Sequence, residues 1–245
     1  MLFPILLWSQ NPKTKEVTTQ THVWTSLNTT FKVSDRWGFI ADAHARRNHF
    51  LADDSFYLLR AGVSYKANAN LSLVVGYGHQ WTAPSKPEWH TFSNENRIYQ
   101  QAVYTSKVGG VTVLQRLRNE QRWQEKIAND VRTGDLRFTD RVRYLLSVTI
   151  PLFEKKTRPS LVVSDELMVQ FGKEVVYNTF DQNRLFLGIR QNITPKLSFD
   201  FGYMNVYQQK YSGYQYDNNH TLRLFFYYNG SVQSKPAQEH HNGGD

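Results

Sequence analysis

Cysteine is absent from this 245-residue sequence, which excludes disulfide bonds and thiolate metal sites. No run approaches 18 consecutive apolar residues, so no segment reads as a membrane-crossing helix. Long apolar stripes at helical spacing are scarce. Phosphate-cradling glycine loops, histidines at metal-ligand spacing and a nucleophile elbow are missing too, and no cofactor is expected. The His240–His241 pair sits in a polar C-terminal stretch and reads as tail rather than as a metal site.

What the sequence has is alternation. Residues 23–33 set Val23, Thr25, Leu27, Thr29, Phe31 and Val33 against Trp24, Ser26, Asn28, Thr30 and Lys32. The same period of two recurs in 37–46, 57–65, 71–81, 95–106, 111–122, 136–150, 160–171, 181–191, 197–207 and 220–228, the pattern of a strand with one apolar and one polar face. Most of these segments run about ten residues, the length at which a tilted strand crosses a bilayer; strands of ordinary soluble domains are nearer five or six.

The connections alternate in length. Short ones (34–36, 67–70, 107–110, 194–196, with a longer 151–159) lie between longer polar ones at 47–54, 82–94, 123–134, 172–180 and 208–218. Short turns on one rim and long loops on the other describe an outer-membrane barrel. The predicted fold is therefore all-β: an antiparallel up-and-down transmembrane β-barrel with short periplasmic turns and long outer loops. Eleven segments can be counted, whereas single-chain bacterial barrels normally have an even number. Twelve strands is the preferred total, with a further strand hidden in 10–20 or that stretch threading the lumen, and ten is the alternative.

No linker divides the chain, so one barrel domain is expected over 20–228. An N-terminal segment (10–19) precedes it and a polar tail (229–245) follows. Residues 1–9, MLFPILLWS, read as the end of a signal peptide and imply export.

The net charge of +8 raises the question of nucleic acid, and the location of the charge answers it. Lysines fall at strand ends and in connections, whereas arginines occupy strand interiors. An enclosed polar interior favours arginine, whose planar fork meets carboxylates bidentately and is weakly hydrated. The expected lumen charge network comprises Asp42, His44, Arg46, Arg60, Glu95, Arg97, Arg116, Arg118, Glu120, Arg122, Arg141, Arg143, Glu166, Arg184, Arg190, Asp200 and Arg223. The stretch LQRLRNEQRW (114–123) then forms one wall of the interior, with Arg116 and Arg118 deep and Glu120 and Arg122 near the outer mouth. Two residues break the pattern. Asp165 beside Glu166 puts carboxylates on both faces, which predicts a bulge, and Asp140 falls on the apolar parity near the loop end of its strand. Trp37, Tyr65, Tyr77, Trp81, Tyr104, Trp123, Tyr203, Tyr207, Phe226 and Tyr228 mark the rims as interfacial girdles would.

In order along the chain, SDRWGF (34–39), LLRAGVSY (58–65), VGYGH (75–79), ENRIYQQ (95–101), RLRNEQRW (116–123), RVRY (141–144), DE (165–166), FDQNRLFLGI (180–189) and FGYMNVY (201–207) resemble an uncharacterised, DUF-type family of Gram-negative outer-membrane β-barrel proteins. The resemblance implies an outer-membrane barrel surrounded by lipid bilayer and lipopolysaccharide and assembled by the barrel-assembly machinery. It supplies no catalytic residue.

The leading functional expectation is a barrel that binds or passes a small solute or serves a structural envelope role. An anionic solute is favoured because lumen arginines outnumber acids. The alternatives are a lipid- or lipopolysaccharide-modifying enzyme using His44 or His79, and a soluble basic β-barrel binding protein. No nucleic-acid partner is expected.

Overall fold

The computed structural model describes residues 13–84, 86–154 and 158–232; the expected signal segment 1–9 and the His240–His241 pair lie outside them. The described residues form strands and connections without a helix. The strands are β1 (Glu16–Lys32), β2 (Trp37–Asn48), β3 (Asp53–Lys66), β4 (Leu71–Thr82), β5 (Ser93–Val108), β6 (Val111–Ala128), β7 (Val131–Pro151), β8 (Ser160–Phe171), β9 (Phe180–Asn192), β10 (Leu197–Gln209) and β11 (Gln215–Ser231). Each pairs with its sequence neighbours, and β11 returns to β1 to close a barrel.

Eleven strands therefore replace the expected twelve. Residues 16–20 are the beginning of β1 itself, and β11 extends through 229–231, the first residues of the expected tail. An odd count leaves the first and last strands pointing the same way, and the barrel closes by pairing them in parallel. The seam runs in unbroken register from Glu16 opposite Gln215 to Lys32 opposite Ser231. All other ladders are antiparallel.

One rim carries the connections 33–36, 67–70, 109–110, 152–159 and 193–196, termed here the turn rim. The other carries 49–52, 83–92, 129–130, 172–179 and 210–214, the loop rim. The long loop expected over 123–134 is mostly strand. β6 and β7 continue to a two-residue turn at Asn129–Asp130, both at positive φ (50° and 59°), as a tight hairpin twisted like its strands requires. Gly109–Gly110, at 54° and 87°, makes the matching turn between β5 and β6.

The alternation has the expected physical result. Trp37, Phe39, Leu59, Val63, Leu73, Val75, Ile98, Leu117, Leu146, Leu167, Leu185, Leu187, Phe201 and Tyr203 face outward and are exposed. Outward aromatics pair near both rims: Trp37 with Tyr65 (ring centroids 4.9 Å apart) and Phe31 with Tyr228 (5.8 Å) near the turn rim, Trp123 with Phe138 (5.4 Å) and Tyr207 with Tyr216 (5.3 Å) near the loop rim. Polar and charged side chains point inward.

The bulge expected at Asp165–Glu166 does not form. The β7–β8 register runs straight through both residues, and outward-facing Asp165 accepts a hydrogen bond from Asn183 Nδ2 (2.7 Å). The irregularity lies three residues on, between Met168 and Val169, where the partner strand carries an extra residue, Asp181, into the interior. Asp140 does face the apolar side, paired in register with Gln121 and with Phe171 at the loop-rim end of β8.

Eleven strands lie between barrels whose interiors are filled by side chains and those wide enough for an open aqueous channel. This interior is filled unevenly. Trp24, Val162, Phe186, Met204 and Val206, with Phe225 against them, make an apolar cluster on the wall built from β1 and β8–β11. Across from it, Tyr99 lies over the cross-strand glycine pair Gly62–Gly76. A Cβ on Gly76 would fall 2.5 Å from the Tyr99 ring and 2.5 Å from the Ala61 carbonyl oxygen, so any larger residue there displaces the ring.

Candidate functional site

The charged residues picked out by parity all face the interior, and most of them are joined to one another. β5 and β6, linked by the Gly109–Gly110 turn, bring Arg97 opposite Arg122, Tyr99 opposite Glu120, and Gln101 opposite Arg118. Like charges opposite each other repel, so Arg97 and Arg122 each turn to other partners. Arg97 donates to Glu95 (2.6 Å) and Gln80 (2.6 Å). Arg122 donates to Thr139 (3.0 Å) and Gln170 (2.8 Å), with Glu95 4.0 Å away. Arg118 donates to Gln101 (2.7 Å) and Glu120 (3.3 Å).

Two carboxylates are the hubs. Glu120 accepts from Arg143 Nη1 (2.8 Å) and Arg141 Nε (3.0 Å) as well as from Arg118. Glu166 accepts from Arg143 Nε (3.0 Å), Arg184 Nη1 (3.3 Å) and Arg116 Nη2. Arg141 also reaches Asp181 (3.1 Å). Glu120 is 1% exposed and stands midway along β6 rather than near the mouth as expected. β6 continues to Ala128 and carries the mouth beyond it.

Two smaller sets complete the lining. Arg190 grips Asp200 bidentately (2.6 and 2.8 Å), and Arg223 (3.4 Å) and the Tyr227 hydroxyl (3.1 Å) donate to the same carboxylate. Arg60 donates to Asp42 (2.7 Å), and its Nη2 lies 3.1 Å from His44 Nε2. Such pairs are held by desolvated, charge-assisted hydrogen bonds. Removing one partner from a group of this kind leaves a buried charge uncompensated.

Arg46 is the exception among the expected network members. It is 6% exposed, and it forms no hydrogen bond or ion pair with any described residue. Its guanidinium instead stacks on the rings of Trp24 (3.4 Å to the centroid) and Phe56 (4.2 Å).

Sequence reasoning missed several interior groups. Asp181 enters through the bulge, which parity does not show. Arg137, within the expected strand 136–150, and Tyr211, within the expected loop 208–218, lie at the loop rim. Aromatic platforms for cations were not foreseen either: Arg223 lies 4.1 Å from the Phe186 centroid and Arg118 4.8 Å from that of Tyr99. The available signal was an aromatic on the polar face of its alternation, as with Trp24, Tyr99 and Phe186. His44 is interior, whereas His79 points outward beside Asn96 (2.8 Å) and Trp81; the two histidines do not share a site.

The side chains leave a cavity of about 1790 Å³. Its lining runs from Gln20, His49, Asp53 and Lys86 near the loop rim to Thr30, Thr112, Thr149, Ser198 and Asn229 near the turn rim. Charged side chains line the middle and the loop-rim end, with hydroxyls and amides at the turn-rim end.

The chain is 28% identical over 197 residues to Uncharacterized protein MexAM1_META1p0181 of Methylorubrum extorquens, covering 78% of this chain and 80% of that protein. Among solved structures it is similar to the siderophore receptor PirA from Pseudomonas aeruginosa, at 10% identity and a TM-score of 0.35 over 72% of this chain. It spans 32% of that receptor's length. Residues 21–218 match a family description over most of the barrel, and the chain belongs to that family, Protein of unknown function (DUF2490).

Proposed function

We propose that this chain is an outer-membrane β-barrel of a Gram-negative bacterium that binds and passes a small anionic solute through its arginine-lined lumen. The membrane setting is supported by the outward face. Leu59, Leu117, Leu185 and Leu187 are each more than half exposed, within an apolar surface that encircles the barrel. In water so large an apolar patch promotes association; in a bilayer it is the required surface. Strands of 12 to 21 residues exceed the span of a hydrocarbon core, and the paired aromatics near each rim suit the two interfaces.

The observation that carries the solute reading is the interior charge imbalance along a cavity whose lining reaches both rims. Arg46, Arg60, Arg97, Arg116, Arg118, Arg122, Arg141, Arg143, Arg184, Arg190 and Arg223 face Asp42, Glu95, Glu120, Glu166, Asp181 and Asp200. A low-dielectric wall focuses the field of this excess and raises the local concentration of anions.

Reconstitution of the full chain into planar bilayers tests the reading. Anion-selective current is expected; no current, or cation selectivity, overturns passage. Recovery of the protein in the soluble fraction without detergent overturns the membrane setting.

A further inference from the structure

We infer that Arg46 is the anchor of a specific oxyanion-binding site inside the barrel, taking one carboxylate or phosphate group of a small solute. The inference rests on the anionic-solute reading and sharpens it from a diffuse field to one residue.

Arg46 differs in kind from the other interior arginines. Arg97, Arg141, Arg143 and Arg190 each hold a carboxylate within 3.1 Å. Arg46 holds none, although it is buried and lines the cavity. The reason lies in the local backbone. A register shift between Arg46 and Arg47 sets Arg46 opposite Phe56 and Arg47 opposite Asp54. Asp54, the carboxylate nearest in register, is then engaged by Arg47 and by the Tyr57 hydroxyl (2.5 Å). Arg46 is left with an aromatic face on either side and no anion.

Such an arrangement is poorly suited to a structural role. A buried guanidinium without a counter-charge destabilises the fold, and its Nε has no acceptor. Electrostatic repulsion from Arg60, Arg97, Arg143 and Arg184 adds to this. It is well suited to binding. Stacking on Trp24 and Phe56 fixes the plane of the fork, so little side-chain freedom is lost when a planar carboxylate or a phosphate face is met bidentately. Arg60, Arg116 and Arg223 line the same cavity, and the Nε of each is likewise without a hydrogen-bond acceptor.

The experiment uses the full chain in detergent micelles, with inorganic phosphate and succinate as probes, titrated calorimetrically. Saturable binding is expected for the wild type. Arg46→Met should raise the dissociation constant at least tenfold, and Arg46→Lys, which keeps the charge but loses the fork, should fall between. Arg36→Met, which removes the same charge from the turn at 33–36, should bind as the wild type does. Thermal unfolding is the second readout. Without probe, Arg46→Met should unfold at a higher temperature than the wild type, and it should lose the stabilisation that phosphate gives the wild type. Wild-type protein that binds neither probe overturns the site, as does undiminished binding by Arg46→Met or an equal loss in Arg36→Met. A lower unfolding temperature for Arg46→Met overturns it too, because the stacked guanidinium is then structural. Anion-selective current without saturable binding overturns the site and leaves passage standing. Saturable, Arg46-dependent binding without current supports the site and overturns passage.

Discussion

Tyr211 and Arg137 meet at the loop-rim mouth of the barrel, the guanidinium carbon 3.8 Å from the centroid of the ring. Tyr211 belongs to the 210–214 connection, which reaches past the ends of β7, β8 and β9, and its hydroxyl donates to Gln124 on β6. The connection therefore partly covers the mouth. Further ties are the Lys210–Asp217 pair (2.9 Å), the Gln209 Nε2 bond to the Gly213 carbonyl oxygen (2.7 Å), the Glu16 N–H bond to the Tyr214 carbonyl oxygen (3.1 Å) and the packing of Tyr214 on Tyr177.

Replacing Tyr211 by Ala should open that mouth. Losing an exposed cation–π contact, worth about 0.5–1 kcal/mol, lowers the ratio of covered to open mouth by roughly two- to fivefold. Single-channel recording should show longer open dwell times and fewer closures in the variant. Unchanged gating would show that the connection does not control access.

Glu166 gathers Arg116, Arg143 and Arg184. Glu166→Gln leaves Arg116 and Arg184 without a carboxylate and Arg143 with Glu120 alone, and should cost about 3–5 kcal/mol of stability, read by denaturant unfolding in micelles. Asp35→Asn serves as the control, because the Lys32–Asp35 pair (2.9 Å) is exposed in the turn at 33–36 and should contribute nothing measurable.

Asp130, in the tight turn between β6 and β7, accepts hydrogen bonds from the backbone N–H groups of His90 (3.0 Å) and Thr91 (2.7 Å). These bonds hold its carboxyl below the ordinary value of 3.8. A carboxyl whose folded-state pKa is depressed stabilises above its unfolded pKa and loses that contribution as pH falls through the folded value. The 83–92 connection should therefore stay docked at neutral pH and release only below about pH 4. Asp130→Ala should release it at every pH. Amide exchange at His90 and Thr91 measures both effects.

Leu187 faces outward near the middle of β9 and is 54% exposed. If lipid covers it, Leu187→Arg should cost roughly 2–4 kcal/mol in bilayer refolding. In a protein whose outer face meets water, the same change would be near neutral. The difference is large enough to decide between the two settings.

Much of this was legible along the chain. Alternation assigned each residue to a face, because a strand turns successive side chains to opposite sides whatever it pairs with. The confinement of arginine to one parity identified a charged interior. The adjacency of Glu95 and Arg97 to the 116–122 set followed from the turn at Gly109–Gly110, since a tight hairpin fixes the register of its two strands.

Other features depend on contacts between residues far apart in sequence. Whether eleven strands could close was undecidable from local pattern, because closure requires β1 and β11 to meet in parallel, Glu16 beside Gln215. Asp181 entered the interior through an extra residue that shifts parity, and such a bulge is set by the neighbouring strand. The sequence by itself determined which side chains face inward, a property of each strand alone. Only the tertiary structure decided which guanidiniums find a carboxylate and that Arg46 does not, because those distances depend on the register of several strands at once.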